Sequence, residues 1–235
     1  IISYARGQVG MLGRMKKIDD IYTFEDGAFH EKMLRISFIA LVAGVLAALA
    51  WLAYSLIFIR HSPAFEFEWM IPGLGEGGSL ARCSAWLLAL VAGCLLPLPV
   101  HELVHGVLFK LFAPAGSHVT FGANWRAGMI YACAEGVVYT RRQYLVIALA
   151  PAIAVTAALI VLGVALRWPL WTIVVATVHL CGCAGDIAYV DIIRRNPLIT
   201  HCEDTSFGVS FYGGGRDDEG ARRVCSGGDD LDDRE

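Results

Sequence analysis

The sequence predicts an all-α integral membrane protein of four transmembrane helices, with a small β-hairpin between the second and third. Three observations carry this reading. Of 235 residues, 56% are hydrophobic and only 17% charged, whereas soluble domains carry about 25% charged residues. The mean hydropathy is +0.56, and the apolar residues are gathered into long runs. The charges lie mostly at the flanks of those runs and in a C-terminal stretch. A disordered chain, a collagen-like repeat and a small disulfide scaffold are excluded, and an ordinary soluble enzyme is disfavoured.

The first run, residues 36–59, holds no charge and is closed by Arg35 and Arg60. At about 1.5 Å per residue it spans the hydrocarbon with some tilt. It lies too deep in the chain, and is too long, for a cleaved signal peptide. The chain opens on Ile1 rather than Met, so further N-terminal residues are expected before it. The second run, 83–112, is apolar to Val100, is interrupted by His101-Glu102-Leu103-Val104-His105, and resumes to Phe112. Pro97 and Pro99 should kink it just before the interruption. The third run, 144–166, carries Pro151 near its start, and the fourth, 168–193, carries His179, Asp186 and Asp191. Between the second and third, residues 113–143 mix β-branched and aromatic residues with glycine, which predicts a hairpin within 118–139 at the membrane surface.

Basic residues set the orientation. With the N-terminal segment 1–35 in the cytoplasm, that side receives Arg6, Arg14, Lys16, Lys17, Lys32, Arg35, Lys110, Arg126, Arg141, Arg142, Arg194 and Arg195. The other side receives only Arg60, Arg82 and Arg167. Both termini and the hairpin are therefore expected in the cytoplasm of a multi-pass cell-membrane protein. Residues 194–235 read as an acidic cytoplasmic tail, disordered from about 213, with Gly213-Gly214-Gly215 and an aspartate-rich end. The net charge of −3 gives no basis for nucleic-acid binding. The cysteines form no disulfide framework, and Cys181-Gly182-Cys183 reads as core packing ahead of a metal site.

An ionisable residue inside a membrane helix is costly and is a functional hypothesis by default. His101 and His105, four apart, point to one side of a helix and can reach one metal ion through their imidazole nitrogens. Glu102 can lean toward a water at that ion and act as its general base. This is HExxH, the zincin signature. Two histidines leave a catalytic zinc one protein ligand short. Arg82 and Arg167 mark the outer ends of the second and fourth helices, and His101 and Asp186 each lie nineteen residues further on. Both are then about 28 Å in, near the cytoplasmic interface, which makes Asp186 the third ligand. His179 lies about 10 Å further out, too far to share the ion unless the helix breaks, and reads as a polar helix contact. Asp191 reads as an interfacial charge and Glu135 as solvent-facing.

Several tracts resemble a known family, the small zincin peptidases of bacterial membranes. They are His101-Glu102-Leu103-Val104-His105-Gly106, Tyr139 to Tyr144 leading into Ala148-Leu149-Ala150-Pro151, and Gly185-Asp186-Ile187. Glu203-Asp204-Thr205 with Gly208 and Tyr212 resembles that family's ending, so the likeness covers about residues 85–212. The plan is similar to that of site-2 proteases, whose membrane-embedded zinc site cuts transmembrane segments, although Asp186 is followed here by Ile187 where those enzymes carry Asp-Gly. The resemblance implies His101, His105 and Asp186 as ligands of Zn2+ and Glu102 as base. The expected function is an intramembrane zinc metalloprotease that hydrolyses peptide bonds of membrane protein or peptide substrates near the cytoplasmic face. Two alternatives are a non-proteolytic adaptor with a structural metal, and a haem or transport protein using the same histidines.

Overall fold

The structure is a computed structural model that describes residues 15–23, 25–58, 80–124, 129–205 and 208–213. It is mostly helical, but a four-stranded antiparallel sheet is added to the expected hairpin. In chain order the elements are β1 (Lys16–Tyr22), α1 (Gly27–Phe58), α2 (Leu80–Leu95), α3 (Pro97–Phe112), β2 (Thr120–Asn124), β3 (Met129–Cys133), β4 (Val138–Thr140), α4 (Arg141–Leu166), α5 (Pro169–Gly182), α6 (Ala184–Arg195), β5 (His201–Thr205) and β6 (Gly208–Gly213). Among the described residues, three helical stretches are long and apolar enough to cross a membrane: 27–57, 80–112 and 141–166. A fourth exists if the bent pair α5–α6 is one span.

Local chemistry explains each boundary. α1 starts at Gly27 rather than Ile36 because Asp26 caps it, its Oδ1 accepting from the N–H of Ala28 at 2.9 Å and of Phe29 at 3.0 Å. The added turns carry polar residues tied off locally, Arg35 to Glu31 and Lys32 to Asp191 at 2.6 Å. The second run breaks where the prolines predicted, at Leu96, because Pro97 has no N–H to continue the α2 ladder and instead opens α3. α4 starts on a capping box, in which Thr140 Oγ1 accepts from Gln143 N–H and Gln143 Oε1 accepts from Thr140 N–H. It ends on Arg167 in the left-handed region (φ 58°), which turns the chain into Pro169 at the start of α5.

The fourth run is not one straight helix: α5 and α6 meet at 53° around Gly182-Cys183. The Cys183 thiol donates back to the His179 carbonyl at 3.2 Å, the kind of side-chain return bond that bends helices. The hairpin is β2–β3, paired from Thr120↔Cys133 to Asn124↔Met129. The segment 137–139, expected as its continuation, leaves it, and β4 pairs with β5. Strand order in the larger sheet is β1-β6-β5-β4, so residues 201–205 and 208–213 of the expected tail are strands, the latter beside the N-terminal β1. Residues 214–235, the stretch expected to be disordered, lie outside the described residues, as do 59–79 and 125–128.

Two cores result. One joins the sheet to the helix ends through Phe29, Phe109, Tyr139, Ile147, Ile193 and Phe211. The other is aromatic, with Trp86, Trp168 and Trp171 packed on Val155, Leu159 and Val175. Trp171 packs against Gly93, where an added Cβ would sit 2.6 Å from the indole, and its Nε1 donates to the Ala89 carbonyl at 3.0 Å. Gly93 is therefore what lets α2 approach α5. Gly93→Val is expected to cost about 1–3 kcal/mol through overpacking, seen as a lower unfolding temperature. Gly27→Ala, where nothing lies within 4 Å, should leave that temperature unchanged or raise it.

Candidate metal centre

The HExxH segment lies in the middle of α3, just after its first turn. Its i, i+4 spacing places the imidazoles of His101 and His105 with ring centroids 4.8 Å apart, edge to face. The bend at Cys183 turns the first turn of α6 toward them, so that Asp186 Oδ2 lies 3.0 Å from His101 Nε2 and Asp186 Oδ1 lies 3.4 Å from His105 Nε2. The two Nε2 atoms are 3.1 Å apart. Two imidazole nitrogens and the two oxygens of one carboxylate thus face one another, each nitrogen 3.0–3.4 Å from an oxygen and 3.1 Å from the other nitrogen. Zinc bonds of about 2.0–2.2 Å in tetrahedral geometry require ligand separations of about 3.3 Å. The donor set, two imidazoles and a carboxylate, is also one that zinc takes. These residues could hold such an ion. Both histidines are 8% exposed, so neither has bulk water to satisfy it. Among the described residues His105 Nδ1 has no hydrogen-bond partner.

Glu102 stands on the same helix one residue after His101. Its Oε2 accepts from the Ala132 N–H of β3 at 2.9 Å, which pins the carboxylate between helix and hairpin. Gly106 makes room for the hairpin, since a Cβ there would strike the ring of Phe121 on β2. The histidines, Glu102 and Asp186 open on one cavity of about 540 Å³, whose far wall carries Tyr131, Tyr144, Tyr189 and Asp204.

His179 sits elsewhere than straight-helix arithmetic predicts. Its Nε2 is 3.3 Å from His101 Nδ1, on the side of that ring away from Asp186, and its Nδ1 is 3.0 Å from Thr156 Oγ1 of α4. Cys183 Sγ lies 3.7 Å from His101 Nδ1 and 3.7 Å from His179 Nε2. A second group of donors, His101, His179 and Cys183, therefore shares His101 with the first through its opposite nitrogen. Asp191 does not enter the cavity; Lys32 and Arg195 hold it at 2.6 and 2.8 Å. Glu135 is exposed.

Asp204 is the cavity residue that sequence reasoning passed over, because it belongs to a stretch read as a solvated tail. Its Oδ1 accepts from Tyr144 O–H at 2.8 Å. Burial pushes its pKa up to about 7, against the opposing pull of that hydrogen bond.

These features define a class: an apolar helical protein with a buried histidine–carboxylate cluster beside a glutamate, at the bottom of a cavity roofed by a hairpin. The model of a family described as "Putative zincin peptidase" matches residues 94–199, from α2 through α6. The match supports the family that the sequence resembles, and that family points to a metallopeptidase. No curated protein and no solved structure matches the chain.

The raised pKa of Asp204 has a sign that can be checked. Its folded value of about 7 exceeds the unfolded value of about 3.9, so the folded state takes up the proton more readily. The contribution to stability is full below pH ~4 and is lost as pH rises to ~7. Asp204→Asn keeps an acceptor for Tyr144 and removes this loss. In metal-free protein, the variant's unfolding temperature relative to wild type should climb between pH 4 and 7 and level off above. An offset equal at pH 4 and pH 8 would refute the assignment.

Proposed function

We propose that the protein is an intramembrane zinc metalloprotease that hydrolyses peptide bonds of membrane-associated substrates near the cytoplasmic face. The observation that carries this reading is the convergence of His101 Nε2, His105 Nε2 and the Asp186 carboxylate within 3.4 Å of one another, with Glu102 opening on the same cavity. His101, His105 and Asp186 are the ligands. When bound, zinc supplies Lewis acidity, polarising a substrate carbonyl and making water acidic enough to react near neutral pH.

Glu102 is the base. Oε2 is held by the Ala132 N–H, which orients the group, and Oε1 takes a proton from water and later delivers it to the departing amine. Three protein ligands would leave zinc one position short of four, and the residues that would hold it line the cavity, as a catalytic rather than a structural site requires. The hairpin supports a way of holding substrate. The Ala132 N–H turns away from β2, and strand alternation turns the N–H and C=O of Ile130 the same way. Among the described residues no strand pairs with this edge of β3, which borders the cavity. The Ala132 N–H is taken by Glu102, so an extended peptide can add along the edge through Ile130, next to Glu102.

The sheet supports the orientation. β1, β4, β5 and β6 are hydrogen-bonded neighbours and must lie on one side of any bilayer. Between β1 and β4 the chain runs through α1 and the α2–α3 stretch; between β4 and β5 it runs through α4 and the bent pair. Each interval returns to the same side if the bent pair counts as one crossing, which gives four spans. The excess of Lys and Arg on the sheet side makes that side cytoplasmic.

Purified protein should hold about one zinc per chain. Glu102→Gln should retain the metal and lose cleavage of a transmembrane peptide by at least ~100-fold. His101→Ala should lose the metal. A metal-free wild type, or unchanged cleavage by Glu102→Gln, would refute the reading.

A further inference from the structure

His179 has no part in the reading above, yet it is 4% exposed, deep among apolar helices, and touches a proposed ligand. We infer that His179 is a positioning residue: it accepts the Nδ1–H of His101 and passes its own Nδ1–H to Thr156, so locking His101 in the tautomer and orientation that ligation requires. The inference rests on the proposal that His101 binds zinc through Nε2.

The logic is one of proton inventory. A neutral imidazole carries one N–H and one lone pair. If Nε2 of His101 gives its lone pair to a metal, Nδ1 must carry the hydrogen, and that hydrogen needs an acceptor in a dry interior. The nearer acceptor is His179 Nε2, at 3.3 Å, with the rings 5.4 Å apart and edge to face; Cys183 Sγ, a weaker acceptor, lies at 3.7 Å. Accepting there leaves His179 with its hydrogen on Nδ1, and Thr156 Oγ1 stands 3.0 Å from that atom. The chain His101–His179–Thr156 thus satisfies each ring nitrogen once and joins α3, α5 and α4. A ligating histidine commonly passes its second N–H to a carboxylate or carbonyl. Here a neutral imidazole takes that place, and the ligand's partner gains no negative charge.

The rival use of the same atoms is a second metal held by His101 Nδ1, His179 Nε2 and Cys183 Sγ. Two features argue against it. The cluster shares His101 with the first site, so both could be filled only if that ring lost its remaining proton. The Cys183 sulfur is already directed to the His179 carbonyl at 3.2 Å, which gives it a role in the bend.

The test measures zinc affinity of the full chain in detergent by chelator competition, together with the unfolding temperature of the metal-free protein. His179→Phe keeps a ring of similar size and deletes the acceptor; it should weaken zinc binding about 10–100-fold. His179→Gln restores an acceptor oxygen near Nε2 and should recover most of the affinity. Thr156→Val should cause a smaller loss of the same kind. The metal-free unfolding temperatures of His179→Phe and His179→Gln should be alike, which separates positioning from folding. In the Co2+-substituted protein the ligand-field bands should shift in His179→Phe and return in His179→Gln, with no thiolate-to-cobalt charge transfer.

Zinc affinity in His179→Phe equal to wild type, with His101→Ala still losing the metal, overturns the inference alone. Two zinc ions per chain falling to one in both His179→Phe and Cys183→Ala, or a thiolate charge-transfer band, also overturns it and makes His179 a ligand. A wild type that binds no zinc overturns both this inference and the proposed function.

Discussion

Two imidazoles and a carboxylate are held within 3.4 Å of one another among apolar helices, and this arrangement constrains everything around it. Polar groups removed from water must satisfy each other, since each orphan costs on the order of 1–3 kcal/mol. The cluster meets most of that demand, His105 Nδ1 excepted, by drawing on three helices: α3 for both histidines, α6 for the aspartate, and α5 for the histidine behind them. Helix register, the α5–α6 bend and the close approach at Gly93 all serve to bring those side chains to one place.

The bend has a second effect. A straight helix through residues 169–195 would carry His179 about 10 Å along the axis from Asp186. Breaking it at Gly182-Cys183 places the two residues on opposite nitrogens of the same ring. The proline break at Leu96 interrupts the second run one turn before the HExxH segment, although 80–112 still counts as one span. Two interruptions of regular structure therefore border the cluster, one from each side.

Much of this was legible in the sequence, and the misses have identifiable physical causes. The helix runs were visible because apolar stretches have no competing reading at that length. His101 and His105 follow from helical periodicity, and the nearness of Asp186 from an argument about depth. The position of His179 was missed because that argument assumed an unbroken helix, and a thiol bonding back to a carbonyl leaves no compositional mark. The sheet was missed for other reasons. β4 is three residues long, β1 finds its partner nearly two hundred residues away, and β5 reads His201-Cys202-Glu203-Asp204-Thr205, whose charges suggest solvent. Asp204 vanished with it. A carboxylate in an acidic stretch looks ordinary until the fold encloses it.

The strand order β1-β6-β5-β4 also bears on how the molecule is made. β6 lies between the first strand and the rest, so β1 has no neighbour until residues near 213 have been synthesised. The sheet is then the last part to assemble, after every helix has emerged from the ribosome. A nascent chain that stalls before this point presents a lone N-terminal strand and an unroofed set of helix ends, both open to pairing with other chains. Pairing of β1 therefore waits on translation, because its partner residues 208–213 lie nearly two hundred residues further along the chain.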